Sequence, residues 1–202
     1  MAAREVRRAE HPVDPLFLDR WSPRAYADEA IGADTLLTIL DAAHWAPSSY
    51  NFQPWRFVYA RRGTPSWDRL LGTLNEFNRG WAQAASALVV ILSKTTATPR
   101  GQQEAVPNPT HSFDAGAAWA FLALQASLLG WHAHGMAGID RDLARRTLGV
   151  PDDYAIEAAV AIGRLGDKAT LPASLQLREV PSQRLQLADV AAEGHCSGLG
   201  AA

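Results

Sequence analysis

The residues able to do chemistry gather in a few short stretches. Arg20-Trp21-Ser22-Pro23-Arg24 puts two guanidiniums and a hydroxyl within five residues, on a backbone that proline stiffens. A guanidinium donates two parallel hydrogen bonds from a planar fork, so the stretch reads as a compact anion site suited to phosphate. Solvated charge is the plainer alternative. Farther on, WAPSSYNFQPWRF at Trp45–Phe57 sets the hydroxyls of Ser48 and Ser49 and the amides of Asn51 and Gln53 just after Pro47, framed by Trp45, Trp55 and Phe57. Amides offer donors and acceptors together, which suits the edge of a flat heterocycle. The competing reading is a polar turn in which Asn51 caps local backbone. Composition alone favours that turn, and the aromatic frame weakens it, since turns seldom need an aromatic wall.

Three further features are bland alone. Asn78 stands three residues before Trp81. Gly135-Met136-Ala137-Gly138 is a glycine-rich stretch where a ligand can approach backbone N–H groups. Arg184 follows much later. His132 and His134 alternate along an extended segment and so share one face. No third ligand stands at metal spacing from them, so two strand histidines are expected rather than a metal centre. Cys196 beside His195 lies in the Gly/Ala-rich tail GHCSGLGAA, where no fixed nucleophile geometry is expected. The chain has neither GxGxxG nor GxxxxGK[ST] nor GxSxG, so dinucleotide-fingerprint, phosphate-loop and nucleophile-elbow chemistry lack support.

The elements that must position these groups follow from periodicity. Leu36, Leu37, Ile39, Leu40 and Ala43 make an apolar stripe on a helix over Asp34–Trp45, which Pro47 ends. Residues Arg56–Ala60 read as a short strand. Thr64-Pro65 has the form of a helix start, with a hydroxyl N-cap and proline at the first turn. Leu88–Leu92 reads as a buried strand. Residues Thr95–Thr110, rich in Pro, Thr and Gln, read as a surface loop or lid. A long helix spans about Ser112–Leu129, its small residues inviting close approach of another element, and Gly130 stops it. Trp131–Gly138 is a strand running into a turn, Asp140 caps a helix to about Leu148, and Ile156–Ile162 is a last core strand. The tail from Leu165 has little periodicity. The pattern is α+β.

The 202 residues carry a net charge of −2 and are 48% hydrophobic, which suits one globular domain and gives no reason to expect nucleic acid or an anionic membrane as partner. The most apolar run, AASALVVILS at Ala84–Ser93, is about half of the ~20 residues that span a bilayer. With one cysteine and no apolar leader, a cytoplasmic location is expected.

Taken together and in order, these stretches resemble the nitroreductase family of FMN-dependent oxidoreductases. RWSPR at Arg20–Arg24, APSSYNFQPWRF at Ala46–Phe57, NRGWAQAASALVVI at Asn78–Ile91, FDAGAAWAFLALQASLLGW at Phe113–Trp131, GMAGID at Gly135–Asp140, AIGRLG at Ala161–Gly166 and SQRLQL at Ser182–Leu187 carry the likeness. It runs from about Leu18 to about Val190, and PSSxNxQPW is its most specific piece.

The resemblance implies one nitroreductase-like domain over residues 1–202, with a central mixed sheet flanked by helices and an intertwined homodimer. It implies that Arg20, Ser22 and Arg24 hold the FMN phosphate, with Arg184 closing the same charge. Asn78 then meets the pyrimidine side of the ring, and Met136, Ala137 and Gly138 line its N5/O4 edge through backbone. Pro47, Ser48, Ser49 and Asn51 reach the flavin bound mainly by the other subunit. The implied activity is hydride transfer from NAD(P)H through flavin N5 to nitroaromatic, quinone or enone-like acceptors in a ping-pong cycle, with His111 or His134 as candidate proton carriers. Other chemistry on the same fold (dehalogenation, flavin fragmentation, azoline oxidation) and flavin sequestration without turnover are the alternatives. Trp81 stands where some members have lysine. The 95–110 loop matches no family motif, and such insertions shape the substrate entrance.

Overall fold

The computed structural model describes residues 3–196. Two short helices, α1 (Ala3–Val6) and α2 (Pro15–Asp19), precede the extended RWSPR segment. Helix α3 (Ala33–His44) buries Leu36, Ile39, Leu40 and Ala43 of the expected stripe, while Leu37 is exposed. After a single 3-10 turn at Ser49–Asn51 comes β1 (Trp55–Arg61).

Two short helices follow where one was expected to begin at Thr64. They are α4 (Trp67–Leu71) and α5 (Glu76–Ala82). Thr64 fails as a cap because its hydroxyl is spent backwards on Arg61 O at 2.7 Å. Asn75 caps α5 instead, its side chain accepting from Asn78 N at 2.9 Å.

Strand β2 (Ala87–Lys94) is buried along all but its last residue. The 95–110 segment is not a plain loop: β3 (Thr96–Ala97) pairs antiparallel with β4 (Val106–Pro107), around Gly101 at φ 83°. Helix α6 (His111–Leu128) ends as expected, with Gly130 in the left-handed region at φ 74°. Strand β5 (His132–Met136) leads to α7 (Arg141–Leu148), which Asp140 caps by accepting from Leu143 N at 2.9 Å. Strand β6 (Tyr154–Gly163) follows, and two single-turn helices, α8 (Ala173–Gln176) and α9 (Leu187–Val190), break the tail.

The main sheet has the order β1-β2-β6-β5. Expected as mixed, it is antiparallel at each of its three pairings within the chain. Successive side chains of β2 point to opposite layers. Ala87, Val89 and Ile91 face α3 and α6, while Leu88, Val90 and Leu92 face a second core with Trp67, Leu70 and Trp81. Burial on both faces explains why β2 reads as an unbroken apolar run.

Candidate functional site

The RWSPR segment is strapped to the β5 end of the sheet. Tyr26 pairs with Leu165 as an isolated bridge, and Gly166 N donates to Ala25 O at 2.9 Å. A side chain at Gly166 would lie 2.4 Å from the Tyr26 carbonyl carbon, so only glycine permits this approach. Tyr26 OH donates to Ala161 O at 3.1 Å, and the His134 ring nitrogen Nδ1 lies 2.9 Å from Pro23 O. Burial pushes the His134 pKa down, against the raising effect of the Pro23 carbonyl; His132 is likewise lowered, by burial and then by Arg164 and Arg20. Both imidazoles are thereby biased to the neutral form.

Beside this strap lies a cleft of about 380 Å³ into which Arg7, Arg20, Arg24, Arg178 and Arg184 project, with Ser22, Ser182 and His134. Among the described residues no carboxylate lines it. Arg20 Nη1 is 3.4 Å from Ser22 Oγ, and Arg184 Nη1 is 3.1 Å from Ser182 Oγ. Burial, then the charge of Arg184, lowers the pKa of both Arg7 and Arg20. The cations therefore repel one another in a partly desolvated place, the electrostatic signature of an anion site.

Two residues that build this cleft were not singled out from sequence. Buried Arg7 donates to the carbonyls of Ser182 (2.9 Å), Leu18 (3.0 Å) and Arg20 (2.8 Å), tying N-terminal, RWSPR and C-terminal segments together. Nothing in AREVRRAEHP marks Arg7 out from Arg4 or Arg8. Glu179 accepts from Arg24 N at 2.5 Å and from Ala25 N at 2.8 Å, with its other oxygen 3.8 Å from Arg24 Nη1. Arg24 is thus half committed to Glu179, whereas Arg20 and Arg184 have no carboxylate partner among the described residues.

The cleft opens, through shared Arg20 and Ser22, onto an apolar cleft of about 560 Å³ lined by Phe17, Trp119, Ala120, Leu124, Gly135, Met136 and Ala137. Gly135 leaves room for the Trp119 indole, which would stand 3.1 Å from an added Cβ. At Gly138 an added Cβ would fall 2.4 Å from the amide nitrogens of both Asn75 and Asn78. The glycine-rich strand end is therefore required first by protein side chains. Asn78 Nδ2 donates to Gly138 O at 3.2 Å, so Asn78 and the Met136–Gly138 turn, expected together, are brought together.

Pro47–Asn51 is not brought to them. This segment lies before β1, at the sheet edge opposite β5. Three strand spacings of ~4.8 Å, about 14 Å, separate those edges. Ser48 Oγ accepts from Gln53 N at 3.0 Å, and Ser49 N donates to Asp114 Oδ2 at 3.3 Å. Tyr50, Asn51 and Gln53 all hold left-handed φ values of 49°, 56° and 48°, a conformation that costs free energy for residues with side chains. Tyr50 is 89% exposed. The expected aromatic wall divides: Trp55 is buried with Ala46 and Ala118, Phe57 packs against the core, and Trp45 turns to solvent. Trp45 follows the last turn of α3 on its outer face, whereas Trp55 and Phe57 share one face of β1.

Of the two candidate proton carriers, His134 stands in the arginine cleft. His111 instead meets Ser93 Oγ at 2.7 Å and Glu157 Oε1 at 3.4 Å near the start of α6. Cys196 is exposed, and the rest of its tail, 197–202, lies outside the described residues.

The fold is thus an α+β layer that sets a cationic cleft beside an apolar one at one sheet edge. Residues 18–76 and 66–164 match the model of the Nitroreductase family, and the chain belongs to that family. It is 36% identical over 148 residues to an uncharacterized protein of Mycolicibacterium smegmatis, covering 69% of this chain and 95% of that one. It is 30% identical to an NADH dehydrogenase of Thermus thermophilus, over 72% of this chain and 83% of the relative. Among solved structures, an oxidoreductase containing FMN superposes with a TM-score of 0.92 at 54% identity, covering 95% of this chain and 96% of the other.

Proposed function

We propose that this chain is an FMN-dependent oxidoreductase using NAD(P)H as reductant and nitroaromatic, quinone or enone-like compounds as acceptors, in a homodimer with two shared sites. The observation that carries the reading is the arginine cleft without a lining carboxylate, opening through Arg20 and Ser22 onto an apolar cleft. That pairing matches a phosphate dianion joined to a flat ring. The FMN-containing structure at 54% identity supports it. When bound, FMN supplies the hydride chemistry that no side chain provides.

The chain's own residues hold and orient. Arg20, Ser22 and Arg184 grip the phosphate, with Arg7 fixing their backbones and Arg24, already met by Glu179, shaping the segment. Asn78 and the backbone of Met136, Ala137 and Gly138 face the ring. Ser48, Ser49 and Asn51 with Pro47, standing at the far sheet edge, serve the site of the second subunit. The outer face of α6 supports that assembly: Phe113 is 83% exposed, and Phe121 and Leu128 follow it along an apolar stripe with Gly116 and Ala120, which a second subunit would cover. Among the described residues no helix is long and apolar enough to cross a membrane, and the reading places the enzyme in the cytoplasm. Reductant and acceptor use one cleft in turn, which gives ping-pong kinetics and needs no dinucleotide fold.

The purified protein is expected to be yellow and dimeric, and anaerobic NAD(P)H is expected to bleach it. A colourless protein that takes up no added FMN sinks the reading. A flavin spectrum that NAD(P)H leaves unchanged moves it to the other chemistries of this fold, a reading that buried Trp81, which brings no cation, keeps in view. Arg20→Ala is expected to weaken FMN binding by about 1–3 kcal/mol, the scale of a charge-assisted hydrogen bond. Fluorescence titration of apoprotein measures it, and unchanged affinity would put the phosphate elsewhere.

A further inference from the structure

A second polar cleft, of about 260 Å³, lies at the β1 edge, between the residues that follow Asn51 and the β3–β4 hairpin. Gln53, Arg56, Lys94, Thr96, Thr98 and Asn108 project to it, and no carboxylate is among its lining residues.

Asn108 is the decisive residue. It is 3% exposed. Its Oδ1 accepts from Thr110 N at 3.3 Å and from Thr110 Oγ1 at 3.0 Å, which turns the NH2 group away from Thr110. That Nδ2 is buried and has no hydrogen-bond partner among the described residues. An unmet buried donor costs about 1–3 kcal/mol, so its persistence asks for an acceptor.

The charges around it agree. Arg56 spends Nη1 on the carbonyls of Gln53 (3.0 Å) and Trp55 (2.6 Å), which fixes the guanidinium, and it forms no ion pair among the described residues. Lys94 stands at the rim, 3.5 Å from Asp153 Oδ2 and half exposed. A fixed guanidinium, an ammonium and an orphan amide NH2 are all donors, which is the complement of a carboxylate or phosphate oxygen.

We propose that this cleft is an anion subsite seating a carboxylate or phosphate group of one of the reactants. Its service to the reaction rests on the shared-site reading, in which the neighbouring Ser48–Asn51 segment faces the second subunit's flavin. Two sources carry such a group: the phosphates of the pyridine nucleotide, or a carboxylate on the acceptor.

Calorimetric titration of the flavin-loaded protein with adenosine 2′,5′-bisphosphate and with 4-nitrobenzoate separates them, with neutral 4-nitrobenzamide as control. One anionic probe is expected to bind, and Arg56→Ala and Asn108→Ala each to weaken it about tenfold, the order of one hydrogen bond to a charged group. Affinity for 4-nitrobenzamide and flavin content are expected to stay unchanged. Loss for the bisphosphate assigns the nucleotide, and loss for nitrobenzoate assigns the acceptor. Arg56 is exposed, so its variant carries the test even where Asn108→Ala folds poorly. Failure of both anionic probes to bind at millimolar concentration overturns the subsite, as does affinity unchanged in Arg56→Ala or a loss equal for the amide. Binding that depends on Arg56 in a protein whose flavin NAD(P)H does not bleach would overturn the proposed reaction and leave the subsite standing.

Discussion

Glu179→Ala is expected to lower the free energy of unfolding by about 3–5 kcal/mol, the scale of breaking one side of a buried ion pair. Glu179 is 6% exposed, accepts from two backbone donors, Arg24 N and Ala25 N, and stands within ion-pair distance, 3.8 Å, of the Arg24 guanidinium. Alanine would leave two backbone N–H groups unmet and a guanidinium, 17% exposed, without its anion. The added positive charge would fall beside Arg7, Arg20 and Arg184, which already repel one another. The RWSPR segment then loses its anchor on the C-terminal side, so flavin content should fall with stability. Glu179→Gln keeps an oxygen for the two backbone donors and loses only the ion pair, so its cost should be smaller, about 1–3 kcal/mol. Urea midpoints and the flavin-to-protein absorbance ratio read both effects. An alanine variant as stable as the wild type would mean that Glu179 is not the hub.

Residues whose role is local were legible in the sequence. The Asp140 cap, the Gly130 stop and the α3 stripe need only neighbours within one turn, and they stand as read save for Leu37, which is exposed. The apolar run of β2 was equally clear because both its faces are covered. What failed was set by partners distant in sequence or by competition between nearby ones. Thr64 has the composition of a cap, but the carbonyl of Arg61 takes its hydroxyl. Arg7 and Glu179 matter only because chain segments about 175 and 155 residues away fold against them. Composition cannot mark them out from other charged residues. The candidate site shows the same division. Arg20 and Ser22 share one cleft with Arg184, which is distant in sequence. Pro47–Asn51 stands at the other sheet edge, so a single chain does not gather all the residues that the family pattern assigns to one flavin. Asn108 carried no signal, since an asparagine in a polar, proline-bearing segment reads as a turn residue.

Trp81→Lys, the exchange toward the lysine that some members of the family carry, is expected to destabilise the protein by about 3–5 kcal/mol, as the loss of a large buried side chain does. Trp81 is 3% exposed. Its ring lies 4.7 Å from the His134 ring and 6.4 Å from Tyr26, and Arg24 sits over it at 5.9 Å. The indole face therefore takes up part of the positive field of Arg24. Lysine at this position would remove that face, leave volume behind, and bring a second cation beside Arg24 and His134, where desolvation is costly. Trp81→Phe separates shape from charge. It keeps an aromatic face and deletes Nε1, which is buried with no hydrogen-bond partner among the described residues, so the lost volume is offset by removal of an unmet donor. Its expected change is within about 1 kcal/mol. Denaturant unfolding of the three proteins checks the order, with flavin content as a second readout. A lysine variant as stable as the wild type would show that the ammonium reaches water and that the Arg24–Trp81–His134 stack does not seal this side of the site. If lysine is costly and phenylalanine tolerated, the exchange at position 81 belongs with the Glu179–Arg24 pair. Accommodating a lysine there would then require relocating Arg24 as well.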